Sequence, residues 1–164
     1  MDLALDYHEE LLEQAFELVH KNPTNPRQAD LRRSVSGAYY ALFHLLISET
    51  IVHWRLDSSR PGLARMFEHR VMAKASDRIL DAKAFPFHGE DGEVVRKLRA
   101  LAEAFGQLQT KRHQADYDNA MEWTHTEALR EVVRAAEMFA IWQTIRQEKI
   151  AQDFLVSLII RPRS

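Results

Sequence analysis

The sequence predicts an all-α protein, folded as an antiparallel up-and-down bundle of four to five helices. Three observations support this fold class. The 164 residues suffice for one domain of ordinary size. Glycine and proline number only five each, too few for the turns of a β-sandwich or barrel. Apolar residues recur at helical spacing rather than in alternation. We therefore expect a single helical domain over residues 1–150, followed by an apolar tail over residues 151–164.

The first two predicted helices are separated by a break that contains prolines. Residues 3–20 combine an apolar stripe with acidic positions on other sides, which predicts an amphipathic helix whose glutamates face solvent. The segment 22–26 ends this helix, and Asn25 followed by Pro26 is a typical start for the next one. The second helix is predicted over residues 26–56.

Residues that interrupt helices also mark the ends of the remaining predicted helices. Serine, proline and glycine residues within 57–62 end the second helix. The last helix opens at Thr124, which is predicted to form a capping box with Glu127. The predicted bounds are 61–82 for the third helix, 93–118 for the fourth and 124–149 for the fifth.

The C-terminal tail differs in composition from the helices. Residues 153–160 are apolar and rich in β-branched side chains, and the chain ends in Arg161-Pro162-Arg163-Ser164. Because an exposed segment of this kind promotes aggregation, we expect it to be covered. Two interpretations are open: the last turns of the fifth helix packed on the bundle, or an arm that lies on a partner chain.

Composition narrows the classes of function. Without cysteine the chain cannot form disulfides, thiolate zinc sites or iron–sulfur clusters. Its 22 basic and 24 acidic side chains give a formal net charge of −2, which argues against a protein that grips nucleic acid with its whole surface but permits a local basic patch. The N-terminus is acidic where a signal peptide is basic, and we find no apolar run of about 18 residues. These features predict a cytoplasmic protein with no membrane contact.

The predicted fourth helix contains a charge in its apolar seam. The seam advances by alternating steps of four and three residues through Val94, Leu98, Leu101, Phe105 and Leu108. Its next position is Arg112, where an unpaired charge would cost several kcal/mol. Asp116 lies one turn further, at a spacing that lets its carboxylate meet the guanidinium. Two interpretations follow: a buried structural ion pair, or an Arg112 that faces a polar cleft and binds an anion such as phosphate.

The second helix is apolar on three faces, which predicts that it is buried nearly all round. Because a monomeric bundle covers one side of a helix well, the remaining surface predicts a homodimer. Gly37, in mid-helix, indicates close approach of another backbone. The same surface carries Arg33, Tyr40 and His44, and a lone histidine on an apolar face is more commonly a packed residue than a catalyst.

Two segments of the chain resemble the HEPN-domain family. Residues 31–44 are similar to the family's second helix, with an arginine, then Ala38-Tyr39-Tyr40-Ala41, then Phe43-His44. Residues 112–117 resemble the family's Arg…Ala-Asp-Tyr element, and a long helix follows in the same order as in that family. The resemblance covers about residues 7–148, nearly the whole predicted bundle.

The resemblance implies a dimeric helical bundle that is commonly encoded beside, or fused to, a minimal nucleotidyltransferase. Some HEPN proteins are metal-independent ribonucleases, often the toxins of toxin–antitoxin or defence systems, and others bind nucleotides as accessory modules. The ribonucleases carry a histidine about four to six residues after their arginine. No histidine occupies that window after Arg112, and His113 points about 100° away from Arg112 on a helix.

The leading hypothesis is therefore a HEPN-like dimeric accessory module that binds a nucleotide or RNA phosphate, needs no cofactor and partners a nucleotidyltransferase. Its expected ligand-binding residues are Arg112, Asp116, Tyr117, Tyr40 and Arg33. The first alternative is a ribonuclease toxin in which Arg112 stabilises the scissile phosphate and His44 or His113 transfers protons. The second alternative is a structural bundle with no ligand.

A di-metal site is the least favoured hypothesis, and we expect no metal. Two Glu-x-x-His pairs have the spacing that di-iron bundles use, with a further glutamate from each of two other helices. The residues in question are Glu17, His20, Glu122 and His125, with Glu49 and Glu103 as the further glutamates. Such pairs arise by chance in a chain of this composition, and both histidines lie at predicted helix ends.

Overall fold

Helices make up the regular structure of the computed structural model, which describes residues 3–81 and 90–160. Within those residues there are seven α-helices, one short 3-10 turn and no strand. The helices are α1 (Leu3–His20), α2 (Gln28–Val52), α3 (Arg60–Ala64), α4 (His69–Leu80), α5 (Gly92–Tyr117), α6 (His125–Ile145) and α7 (Lys149–Ser157). The predicted all-α class is confirmed, whereas the predicted number of four to five helices is too low for the described residues.

The longest helices pack around α2, and their contacts show which way each one runs. Tyr7, near the start of α1, lies beside His44, near the end of α2, so these two helices are antiparallel. The last turn of α5 meets the first turns of α2, which makes this pair antiparallel too. By contrast, α6 begins beside the start of α2 and ends beside Glu49, so α6 and α2 run in the same direction.

Two side chains at the start of α2 fasten the connection between α5 and α6. The Arg32 guanidinium donates to the carbonyl oxygens of Ala115 and Asp118, both at 2.9 Å, and also to that of Met121. The Gln28 amide donates to the carbonyl oxygen of Trp123 at 2.7 Å and accepts from its N–H at 2.9 Å. Arg32 therefore satisfies carbonyls that the end of α5 leaves without helical partners.

The predicted capping box of the last long helix is confirmed. The Thr124 hydroxyl accepts from the backbone N–H of Glu127 at 3.1 Å, and the Glu127 carboxylate accepts from the backbone N–H of Thr124 at 3.0 Å. These bonds satisfy two N–H groups at the start of α6. The observed start of α6 at His125 thus follows from residues next to it in the sequence.

The single helix predicted over residues 61–82 is wrong, because the chain forms α3 and α4 with a break between them. Leu63 and Phe67 are both buried, and so are Met72 and Ile79. On one uninterrupted helix these two pairs would lie more than about 100° apart around the axis. No single face could then bury both pairs, and the break after Ala64 allows each to reach the core.

The tail forms α7, a separate helix that packs on α2 and α4. Its apolar side is buried by the same chain, through Ile150, Phe154, Leu155 and Leu158. Of the two interpretations of the tail, the structure agrees with packing on the protein's own bundle for residues 149–158. The expected boundary at residue 151 falls inside this helix, and residues 161–164 lie outside the described part of the chain.

The apolar surplus on α2, which predicted a second chain, is covered within the monomer. Most of its side chains are buried, including Tyr39, Phe43 and Ile47 on the different apolar faces. The close backbone approach predicted by Gly37 is that of α1: a Cβ at this position would lie 3.5 Å from the Cβ of Ala15 and 3.8 Å from the carbonyl oxygen of Leu11. The homodimer stays a prediction, but its reason from α2 no longer holds.

No segment long and apolar enough to span a membrane was expected from the sequence. The helix α2 does not meet this expectation. Among the described helices, α2 alone is long and apolar enough to cross a bilayer by length and composition. In the structure 72% of its most apolar window is buried inside the bundle. The core helix of a bundle passes the same test, so this property is weak evidence for membrane insertion.

Candidate functional site

One side of α2 carries the polar side chains of the candidate site. Arg33, Ser36, Tyr40 and His44 follow one another at steps of three or four residues and therefore project from the same side of the helix. Two adjoining cavities open along this side, one towards the end of α5 and the other towards α1.

The Arg112–Asp116 pair predicted from helical spacing is present. Arg112 Nη1 lies 3.7 Å from Asp116 Oδ2 and donates to the Tyr40 hydroxyl at 3.4 Å. The guanidinium also stands over the rings of Tyr39 and Tyr40, 5.3 and 5.7 Å from their centroids, where a cation is attracted to the aromatic face. The Arg112 side chain is 15% exposed and that of Asp116 is 24% exposed, so this pair lies at the edge of the core.

The cavity between α2 and the end of α5, which we call the α5 cavity, has a volume of about 440 Å³. Four of the five predicted ligand-binding residues line it: Arg33, Tyr40, Asp116 and Tyr117. The fifth, Arg112, lies behind this lining and contacts both Tyr40 and Asp116. The exposed cation of the site is therefore Arg33, whereas Arg112 supports the groups around it.

The cavity between α1 and α2, which we call the α1 cavity, has a volume of about 560 Å³. From α2 it is lined by Arg33, Ser36, Gly37, Tyr40 and His44, and from α1 by Tyr7, Leu11, Gln14 and Leu18. Arg33, Ser36 and Tyr40 line both cavities, so the two adjoin at these side chains. The contribution of α1 was not predicted, because its aromatic and amide residues form no recognisable motif.

The two histidines considered as catalysts occupy different surroundings. His44 forms a wall of the α1 cavity, and its ring lies edge-on to that of Tyr7 with 4.8 Å between centroids. Burial lowers the pKa of His44, and the neighbouring His69 and His8 lower it further. His113 is exposed and packs beside Tyr117, with ring centroids 5.0 Å apart.

The structure adds a histidine to the site that the motifs did not identify. His69, the first residue of α4, places Nδ1 2.6 Å from the Tyr39 hydroxyl and stacks on the Phe43 ring at 4.2 Å. Burial lowers the pKa of His69, and the charge of Arg112 lowers it further. Burial also raises the pKa of Tyr39 well above its usual value, which keeps that hydroxyl protonated. Only the break between α3 and α4, which the sequence prediction missed, brings His69 to this place.

One buried and two half-buried histidines predict that the stability of the fold decreases as the pH is lowered. Burial lowers the pKa of His8, His44 and His69 in the folded state. A histidine whose folded pKa lies below its unfolded value adds stability that is present above about pH 6.5 and is lost as the pH falls through the folded pKa. We expect the melting temperature to decrease from pH 7.5 to pH 5.

Each kcal/mol of unfolding free energy that is lost lowers the melting temperature by about 2–4 °C for a chain of this size. Thermal melts of the wild type and of His69→Gln measure the effect, and His69→Gln should show a shallower pH dependence. Exposed His113→Gln is the matched control and should follow the wild-type curve. A melting temperature that stays constant or rises towards pH 5 would contradict the prediction.

The residues of the di-metal hypothesis are only partly brought together. The rings of His20 and His125 lie 5.6 Å apart. However, Glu49 is paired with Arg146, and Glu103 accepts a hydrogen bond from Gln107. Among the described residues no group of three or more histidine or carboxylate side chains is placed to hold a metal ion.

The site is thus an Arg-, Tyr- and Ser-lined surface on α2 that adjoins a cavity with aromatic walls, and Arg112 contacts its Tyr40 and Asp116 from behind. Its residues come from segments 31–44 and 112–117, with α1 and α4 adding to them. Comparison with protein-family models, with curated proteins and with solved structures gives no match to this chain.

Proposed function

We propose that this chain is a HEPN-like accessory module that binds the phosphate of a nucleotide or of RNA in the α5 cavity. The observation that carries the proposal is the position of Arg33, an exposed cation that lines one cavity with the Tyr40 hydroxyl, while the Ser36 hydroxyl in that cavity donates to Asp116 at 3.4 Å. A guanidinium and hydroxyl donors are groups that bind phosphate oxygens.

Arg112 contacts two groups of the proposed site, the Tyr40 hydroxyl and the Asp116 carboxylate. Its Nη1 donates to the Tyr40 oxygen, so the Tyr40 hydroxyl proton is left to be donated to a ligand. Arg112 Nε is buried and has no hydrogen-bond partner among the described protein groups. The positive charge of Arg112 also offsets the negative charge of the Asp116 carboxylate. Without this cation the carboxylate would repel a phosphate at the rim of the cavity.

The homodimer, the nucleotidyltransferase partner and the role in a toxin–antitoxin or defence system rest on the family resemblance. The resembling segments, 31–44 and 112–117, supply most of the residues that line the α5 cavity. Co-purification with a minimal nucleotidyltransferase encoded beside this chain tests the partner, and light scattering above 19.1 kDa tests the dimer.

The effect of Arg112 on phosphate binding tests the proposed function. Arg112→Met should weaken the binding of pyrophosphate at least tenfold, measured by calorimetry, and cost only about 1 kcal/mol of stability because the pair is partly solvated. Asp116→Asn should strengthen binding, because it removes a negative charge from the cavity wall.

A purely structural role for Arg112 predicts a different pattern. The single variant would then lose much stability, the double variant Arg112→Met with Asp116→Leu would regain it, and pyrophosphate binding would be unchanged. That pattern would exclude a role of Arg112 in phosphate binding, whereas a wild type that binds no pyrophosphate would exclude the phosphate site itself.

A ribonuclease is the second candidate, because His69 supplies an imidazole near Arg112. Both residues contact Tyr39: His69 Nδ1 is 2.6 Å from its hydroxyl, and Arg112 lies over its ring. With the proton on Nδ1, bonded to Tyr39, the Nε2 lone pair is available to accept a proton near neutral pH. Incubation of RNA with the wild type, with the Arg112 and Asp116 variants and with His69→Ala tests this candidate. Equal cleavage by wild type and variants, or none, would exclude it.

A further inference from the structure

We infer that the ligand of this site is a nucleotide whose base enters the α1 cavity while its phosphate lies at Arg33. This inference rests on the proposed phosphate site and names the class of molecule that carries the phosphate. The base could belong to a free nucleotide or to an unpaired residue of RNA, since both present the same chemistry.

The position of the two cavities side by side is the first argument. Arg33, Ser36 and Tyr40 line both, so a phosphate held by Arg33 lies next to the α1 cavity. The volume of the α1 cavity, about 560 Å³, lies within the range of about 300–1,000 Å³ that small-molecule sites occupy. A phosphate alone fills only a small part of that space.

The walls of the α1 cavity are the second argument, because they suit a flat aromatic ring. Tyr7 is 44% exposed, its ring lies edge-on to that of His44 with 4.8 Å between centroids, and Tyr40 lines the same cavity. Since burial holds the pKa of His44 below its usual value, this ring is neutral at pH 7 and adds no charge to an aromatic surface. Proteins hold unpaired bases by stacking them on side chains of this kind.

The distribution of charge on α1 is the third argument. This helix is rich in acid, but Glu9, Glu10 and Glu13 line a different groove, which faces α6. Among the described residues that line the α1 cavity none is acidic, and α1 contributes the neutral amide of Gln14 there. An amide offers a donor and an acceptor to the edge of a base, and the lack of carboxylates permits an anionic ligand.

Calorimetric titration with three probes tests the inference. We expect at least one of the four ribonucleoside 5′-monophosphates to bind the wild type about tenfold or more tightly than ribose 5-phosphate, with inorganic phosphate no tighter than ribose 5-phosphate. Tyr7→Ala should remove the advantage of the base and leave the affinity for ribose 5-phosphate unchanged. Tyr7→Phe is the matched control and should keep the advantage, because it retains the ring.

The outcomes separate this inference from the proposed function. Equal affinity for the nucleotides and ribose 5-phosphate would overturn the base site and leave the phosphate site standing. No binding of any phosphate compound would overturn both. If the base site is present, tighter binding of a single-stranded tetranucleotide than of the monophosphates identifies RNA as the source, and the reverse identifies a free nucleotide.

Discussion

Replacing Arg146 with methionine is expected to lower the free energy of unfolding by about 3 kcal/mol, because it leaves a buried carboxylate without a partner. Arg146 Nε and Nη2 donate to the two carboxylate oxygens of Glu49 at 3.1 and 2.9 Å. Glu49 lies on α2 and is only 7% exposed. The Arg146 side chain is 33% exposed, which places the expected loss at the lower end of the range for broken buried pairs.

The double variant Glu49→Leu with Arg146→Met is the control for this prediction. Removing both charges avoids the unpaired carboxylate, so most of the lost stability should return. Urea unfolding of the wild type and both variants measures the three free energies, and equal m-values confirm that unfolding has stayed comparable. A loss below about 1 kcal/mol in the single variant, or no recovery in the double variant, would show that the pair acts as a solvated one.

Arg32→Met is expected to cost about 2–3 kcal/mol, although its neighbour Arg33 can be replaced at almost no cost. The Arg32 guanidinium is bonded to three backbone carbonyls around the end of α5. Hydrogen bonds from a charged donor contribute about 1.5–3 kcal/mol each where they are protected, and these are partly exposed. The cation also interacts favourably with the negative end of the α5 dipole.

Arg33→Met is the matched control, since it removes the same side chain one position further on. Arg33 is exposed and lines both cavities, so its loss should change stability by less than about 0.5 kcal/mol and weaken pyrophosphate binding. Arg32 also lines the α5 cavity, but its guanidinium is bonded to the three carbonyls, so urea unfolding and calorimetry of the two variants should give opposite patterns. Similar stability losses in both variants would contradict the assignment of Arg32 to the fold and Arg33 to the ligand.

Local patterns in the sequence predicted the helices whose ends are set by neighbouring residues. The bounds of α1 and the capping box at Thr124 follow from such signals, and the observed helices agree with them. The Arg112–Asp116 pair was also predictable, because both residues belong to one helix and a fixed spacing joins them. The family resemblance that surrounds this pair stays a prediction.

Features that depend on distant parts of the chain were not predictable from these patterns. His69 reaches Tyr39 from 30 positions away, and only after the break that separates α3 from α4. The different roles of Arg32 and Arg33 depend on how α2 is rotated in the bundle, because adjacent residues on a helix point about 100° apart. The burial of α2 was predicted, but its cover by helices of the same chain was not, since the number of helices that would pack on it was unknown.

The two polar pairs that join α2 to α6 also act as a ruler for the lengths of these helices. Gln28 with Trp123 holds them together at one end, and Glu49 with Arg146 holds them at the other. A residue inserted in one helix between these points would shift its far end by about 1.5 Å and rotate it by about 100°, which would separate one pair. Insertions or deletions between the two pairs should therefore be accepted only when both helices change together, whereas residues 53–59, which lie beyond them, are free of this constraint.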